Sequence, residues 1–169
     1  MSLSEMFLPE FDQEAQSTRK TLERVPDGKF DWRPHPKSGT MGWLAAHLAM
    51  LPWWATITVN QDSLDLMPGG KAPTPPTPPA TTKELLALFE TKLAEGRAAV
   101  AGASDEEWRK PWTLYKNGQK ILTLPKMVVL RSFVMNHIIH HRAQLGVYLR
   151  LNDLPVPAVY GPSADEQPF

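Results

Sequence analysis

The sequence has no cysteine. That excludes a disulfide scaffold, a cysteine nucleophile, thiolate metal sites and C-x-x-C redox chemistry. It also has no excess of either charge, with 18 Lys+Arg against 18 Asp+Glu. A protein that coats nucleic acid needs a basic surplus to release counterions, so a nucleic-acid partner is not expected. No apolar run approaches the ~18 residues that span a bilayer, so no membrane partner is expected either. The first twenty residues lack the basic-then-apolar layout of a signal peptide, which makes the cytoplasm the expected compartment. What remains for site chemistry is five histidines, the carboxylates and the hydroxyls. Six tryptophans and 17 prolines in 169 residues are high counts, and the length suits a single domain over residues 1–169.

Helical periodicity recurs four times. Leu8, Phe11, Ala15, Thr18, Leu22 and Val25 are spaced alternately three and four apart and line one helical face, which Pro26-Asp27-Gly28 ends. After a connector over 30–39, Thr40 is an N-cap for a second stripe of Leu44, His47, Leu48, Leu51, Ala55 and Thr58, which Pro52 should kink. Residues 60–80 read as a long loop whose PTPPTPP run has polyproline II character. Thr81-Thr82-Lys83-Glu84 carries a capping-box pattern for a third helix ending at Gly102. Ser104 caps a short turn, and Asn117-Gly118 between two β-prone runs predicts a hairpin. A fourth helix runs from Pro125 to about Leu151, followed by a proline-rich tail. The expected fold class is therefore all-α, a four-helix bundle with a small β-hairpin between the third and fourth helices.

Three histidines stand where this periodicity calls for apolar residues. His137 and His141 are one turn apart on the fourth helix, and two imidazoles at that spacing can converge on one ion. The stretch His137-Ile138-Ile139-His140-His141 has no Glu after the first His, so a zincin-type protease is excluded. His47, on the core stripe of another helix, is the candidate third ligand. Three His ligands would leave a coordination position open, the catalytic rather than the structural pattern. On spacing alone, histidines that merely pack in the core are an equal alternative. His140 is rotated about 100° from His141 and reads as a neighbour of the site, and His35 reads as a surface residue of the connector. Asn136 and Arg142 flank the motif and read as polar packing first, or as groups that orient water or an anionic substrate. No general base stands out on a core face. Trp43 and Trp54 read as core or interface packing ahead of a pocket lining, and Trp32, Trp108 and Trp112 as pins for connectors.

The stretches Leu44-Ala45-Ala46-His47-Leu48-Ala49, Asn136 to Leu145 (NHIIHHRAQL) and Val156 to Glu166 (VPAVYGPSADE), together with Thr18-Arg19 and Trp32-Arg33-Pro34, resemble the DinB family over essentially the whole chain. The resemblance implies an up-down-down-up helix topology. It also implies a metal held by His47, His137 and His141, with zinc or nickel the leading divalent transition metals. It further implies a homodimer and a small-molecule substrate, since related branches are transferases and isomerases that use a low-molecular-weight thiol. The family's name refers to damage induction, hence a bacterial stress response, and not to DNA binding. The expected function is a metal-dependent transferase or hydrolase, against the alternative of a non-catalytic metal- or ligand-binding protein.

Overall fold

The structure is a computed structural model that describes residues 1–73 and 77–167. The PTPPTPP run, and with it the expected polyproline II character, lies in part outside the described residues. Helix α1 spans Leu3–Leu22 and starts ahead of the periodic stripe, because Ser2 and Glu5 close a reciprocal capping box there. Ser2 Oγ accepts from the Glu5 N–H at 3.1 Å, and the Glu5 carboxylate accepts from the Ser2 N–H at 2.7 Å. The expected face is the one it buries: Phe11, Ala15, Thr18 and Leu22.

The second stripe is carried by two helices. Thr40 caps α2, Met41–Met50, by accepting from the Trp43 N–H at 3.1 Å. Pro52 has no N–H to continue the ladder, so the chain restarts as α3, Trp53–Asn60. Helix α4, Thr82–Gly102, is capped by Thr81. The Glu84 carboxylate takes the N–H of Ala80 rather than that of the cap itself. α4 crosses the α2–α3 break at Gly96, where a Cβ would lie 2.4 Å from the Pro52 carbonyl oxygen. The short helix α5, Asp105–Arg109, is capped by Ser104 and seats Trp108, whose Nε1 donates to Ser4 Oγ at 2.9 Å. The last helical stretch has three parts: α6, Lys126–Val129, a π segment, Leu130–Met135, and α7, Asn136–Arg150.

The all-α expectation is overturned. Among the described residues a three-stranded mixed sheet accompanies the helices, in the order β1-β2-β3, with β1 Ser63–Asp65, β2 Pro111–Lys116 and β3 Gln119–Pro125. The β2–β3 hairpin is the one expected. Its turn residues Asn117 and Gly118 both take positive φ, 52° and 72°, as a two-residue hairpin of this kind requires. What changes the class is the segment after α3. Instead of only looping, it lays Ser63, Leu64 and Asp65 parallel to Thr113, Leu114 and Tyr115. Asp65 then fixes the hairpin tip, its carboxylate accepting from the N–H groups of Asn117 and Gly118 at 2.9 and 2.8 Å. The sheet has its own apolar cluster of Ile57, Trp112, Leu114 and Val129, separate from the main core among the helices. Lys126, 1% exposed, joins the two regions: its Nζ donates to the Val59 carbonyl at 2.9 Å and pairs with Asp62 and Glu107. No described helix is long and apolar enough to cross a membrane.

Candidate metal centre

The break at Pro52 leaves His47 near the end of α2, where it faces α7. In the π segment the N–H of Asn136 donates to the Arg131 carbonyl, five residues back. One extra residue in a turn offsets every later face by about 100°. The π segment thereby sets which side of α7 looks at α2. The side presented carries His137 and His141.

The three rings meet. Centroids of His47 and His137 are 5.1 Å apart, of His47 and His141 4.6 Å, and of His137 and His141 4.6 Å. One ligand nitrogen from each lies within 4.8 Å of the others, and all three residues are half-buried. The Nε2 atoms of His47 and His137 stand 3.4 Å apart. Two nitrogens each about 2.0–2.1 Å from one zinc at a tetrahedral angle stand roughly 3.4 Å apart, so the observed spacing fits shared coordination.

Protonation points the same way. His47 is pushed down to about 4, first by burial and then by the charges of His141 and His137. Burial also lowers His137, with His141 adding to it and a hydrogen bond to the Phe133 backbone opposing it. His141 is lowered by burial, against its hydrogen bond to Gln144. Three neutral imidazoles crowded together are a donor set ready for a divalent cation, since metal binding needs deprotonated ligands. No Asp or Glu joins the cluster among the described residues.

The surroundings show one residue that sequence reasoning passed over, Gln144, and one that it ranked as packing ahead of a pocket lining, Trp43. Gln144 Oε1 lies 2.7 Å from His141 Nδ1, which fixes the ring and leaves Nε2 free to coordinate. Gln144 is three residues past His141, so its position on the same face was readable. The Trp43 indole lies flat against His47, 5.3 Å between centroids at 5°, and is 56% exposed. Trp43 thus belongs to the site and not to the core. A cleft of about 450 Å³ bounded by Trp43, Ser38, Gln144 and Tyr148 reaches His141, and a second of about 220 Å³ reaches His47 from the other side of Trp43. The triad is therefore open on two sides.

The other sequence candidates lie elsewhere. His140 is exposed, its ring 4.8 Å from that of His141, and is not one of the converging three. His35 is exposed in the connector and Asn136 is exposed on α7. Arg142 turns away from the triad into a buried ion pair with Glu14, 2.6 Å, and hydrogen-bonds the Tyr160 hydroxyl at 2.7 Å. It has no part in orienting water at the histidines.

Comparison with known proteins bears on the family and the fold. The family model described as DinB family matches residues 1–168. The uncharacterized protein YrdA of Bacillus subtilis strain 168 is 25% identical over 163 residues, covering 95% of this chain and 89% of its own length. The crystal structure of a DinB-like protein from Bacillus cereus ATCC 10987 superposes with a TM-score of 0.69 at 22% identity, covering 92% of this chain and 97% of that one. That of the DinB-like protein YjoA from Bacillus subtilis does so with a TM-score of 0.68 at 16% identity, covering 91% and 96%. At these identities the two structures speak for the fold alone.

Proposed function

The chain belongs to the DinB family, and we propose that it is a metal-dependent enzyme acting on a small molecule at the centre formed by His47, His137 and His141. The observation that carries this reading is the convergence of three neutral, half-buried imidazoles at the meeting of two clefts. A closed structural site would have a fourth protein ligand and no solvent path. The donor set suits zinc or nickel. A divalent ion held there would lower the pKa of a bound water toward ~7 or deprotonate a bound thiol, supplying a nucleophile to a protein that has no cysteine.

The chain's own residues do the rest. Gln144 holds His141 in one orientation, and Trp43 covers one face of His47. Trp43 and the largely apolar walls of the smaller cleft give that side of His47 apolar surroundings that stay open to solvent. Among the described residues no carboxylate joins the cluster, so the three histidines would hold the ion and a bound ion would have to supply the activated water or thiol in place of a paired acid and base. This favours thiol transfer or hydrolysis, with a low-molecular-weight thiol as the co-substrate to be tried first. The partners on this reading are that small molecule and a second copy of the chain, for which the exposed Val147 and Leu151 at the end of α7, each 58% exposed, offer apolar contact.

Elemental analysis of the purified protein is the test. The wild type should carry about one zinc or nickel per chain, and His47→Ala and His137→Ala should each lose most of it. Full metal content in both variants would remove the triad as the ligand set. Turnover of electrophiles with several thiols by the metal-loaded wild type, and not by His137→Ala, would then separate an enzyme from a protein that only stores metal.

A further inference from the structure

The two clefts that meet at Trp43 differ in chemistry. The larger presents Ser38, the Gly39 carbonyl with its Tyr148 hydroxyl donor, and Gln144. The smaller is walled by Ala46, Met50, Pro78, Pro79, Leu88 and the indole of Trp43, with Thr77 and His47 also lining it. Its volume of about 220 Å³ exceeds that of an enclosed protein cavity of about 150 Å³ that binds benzene, so a single ring fits. Apart from Thr77 and His47 its lining is apolar, so it offers little to a polar group.

The seat of Trp43 is specific. At Gly39 a Cβ would stand 2.4 Å from Trp43 Cε3 and 3.1 Å from Cδ2, so only a residue without a side chain lets the indole settle there. Thr40 fixes the backbone beneath it by accepting the Trp43 N–H at 3.1 Å. The result is a large aromatic ring held flat on a ligand histidine, yet 56% exposed and turned to the pocket instead of to the core. An aromatic platform, proline walls and a sufficient volume together describe a receptor for a flat apolar ring.

We propose that the apolar cleft beside His47 receives a single-ring or comparably small apolar group of the substrate, and that Trp43, seated by Gly39, is the specificity-determining residue. The inference rests on the proposed metal-enzyme reading, since the cleft presents its occupant to the reacting centre. The cleft itself is built from side chains that do not ligate, apart from His47.

Toluene is the probe, titrated into the full-length protein and followed by NMR. The expected result is one saturable site in the presence or absence of metal, with intermolecular contacts from the toluene protons to the Trp43 indole and the His47 ring. Ala46→Phe, which fills the cleft, should weaken binding at least tenfold, and so should Leu88→Gln, which makes its wall polar. Ile121→Ser, on β3 and in neither cleft, should leave binding unchanged. Absence of saturable binding to the wild type would overturn the proposal. So would binding that survives both cleft variants, or contacts elsewhere on the surface. Metal content measured on the same samples keeps the two readings apart: lost toluene binding with an intact metal load refutes the pocket alone, and toluene binding in a chain whose metal content ignores the histidine variants refutes the metal centre alone.

Discussion

A histidine that stays neutral far below its ordinary range makes stability depend on pH, and the direction follows from proton counting. In the unfolded chain His47 takes up a proton near 6.5, whereas in the fold burial and its two histidine neighbours hold it down to about 4. Between those values the unfolded state binds more protons, so stability is complete above about 6.5 and declines as pH falls toward 4. His137 and His141 are displaced in the same direction and add to the slope. The expected outcome is that the metal-free protein shows a falling urea midpoint from about pH 7.5 to about pH 5. In His47→Gln, which keeps the shape and cannot titrate, that fall should be visibly shallower. An identical slope in the variant would mean that the ring is not desolvated as the structure has it. The residue scale also shows where reading the sequence stopped. The convergence of the three histidines was legible because periodicity put three polar imidazoles on apolar stripes. Trp43 was legible only as the lesser alternative, a pocket lining ranked behind packing, because its seat depends on the bare Cα of Gly39, and periodicity is blind to how a side chain folds back over its own turn.

At the scale of elements, most helices were written plainly in caps and stripes: Thr40, Thr81 and Ser104 each accept the N–H three residues on, where a cap should. The strand β1 was not. Three residues inside a loop rich in Pro and Gly have no alternation to read. They become a strand only because β2 offers an open edge and Asp65 finds the N–H groups of the hairpin tip. The π segment was hidden for a similar reason. Its residues are ordinary helix formers, and the offset it introduces is a property of how α7 must face α2, not of Leu130–Met135 themselves. The crossing of α4 over the α2–α3 break is the most demanding packing between elements. Gly96 stands against the Pro52 carbonyl at a point where a methyl group would come within 2.4 Å of backbone oxygen. Gly96→Ala gains helix propensity of ~1 kcal/mol, but the overlap is with backbone that cannot rotate aside, and overpacking of this kind costs ~1–3 kcal/mol. The variant should be destabilised overall, by about 1 kcal/mol or more in urea unfolding. Because α2 must move to relieve the overlap, metal affinity should drop with it. A variant as stable as the wild type would mean that the two helices part freely at Pro52.

Over the whole molecule, α1, α7 and the tail are tied at one buried point. Glu14 and Arg142 are 6% and 4% exposed at their side chains and pair at 2.6 Å. Arg142 also donates to the Glu14 carbonyl at 3.1 Å and to the Tyr160 hydroxyl at 2.7 Å. Tyr160 closes the triangle by donating to the Glu14 carboxylate at 2.9 Å. Further out, the adjacent Asp165 and Glu166 pair with Arg150 and Arg24, so the far end of the tail is anchored to α7 and to the residues just after α1. A buried pair is weak proof of stabilisation, because desolvation offsets most of its attraction, but removing one member strands the other. Glu14→Ala leaves a guanidinium in the interior facing only a hydroxyl and a carbonyl, and should cost ~3–5 kcal/mol. Glu14→Leu combined with Arg142→Met removes both charges and retains the volume, and should recover most of that loss. Urea unfolding of the wild type, the Glu14→Ala variant and the double variant checks this. Equal destabilisation of both would place the cost in packing instead of charge. The double variant has a second use. Arg142 follows His141 directly, so if the pair holds α7 in place for the metal centre, the double variant will be stable yet bind metal more weakly than the wild type. If its metal affinity is unchanged, the position of α7 is set by the π segment and the core leucines alone, and the ion pair serves only to bind the tail.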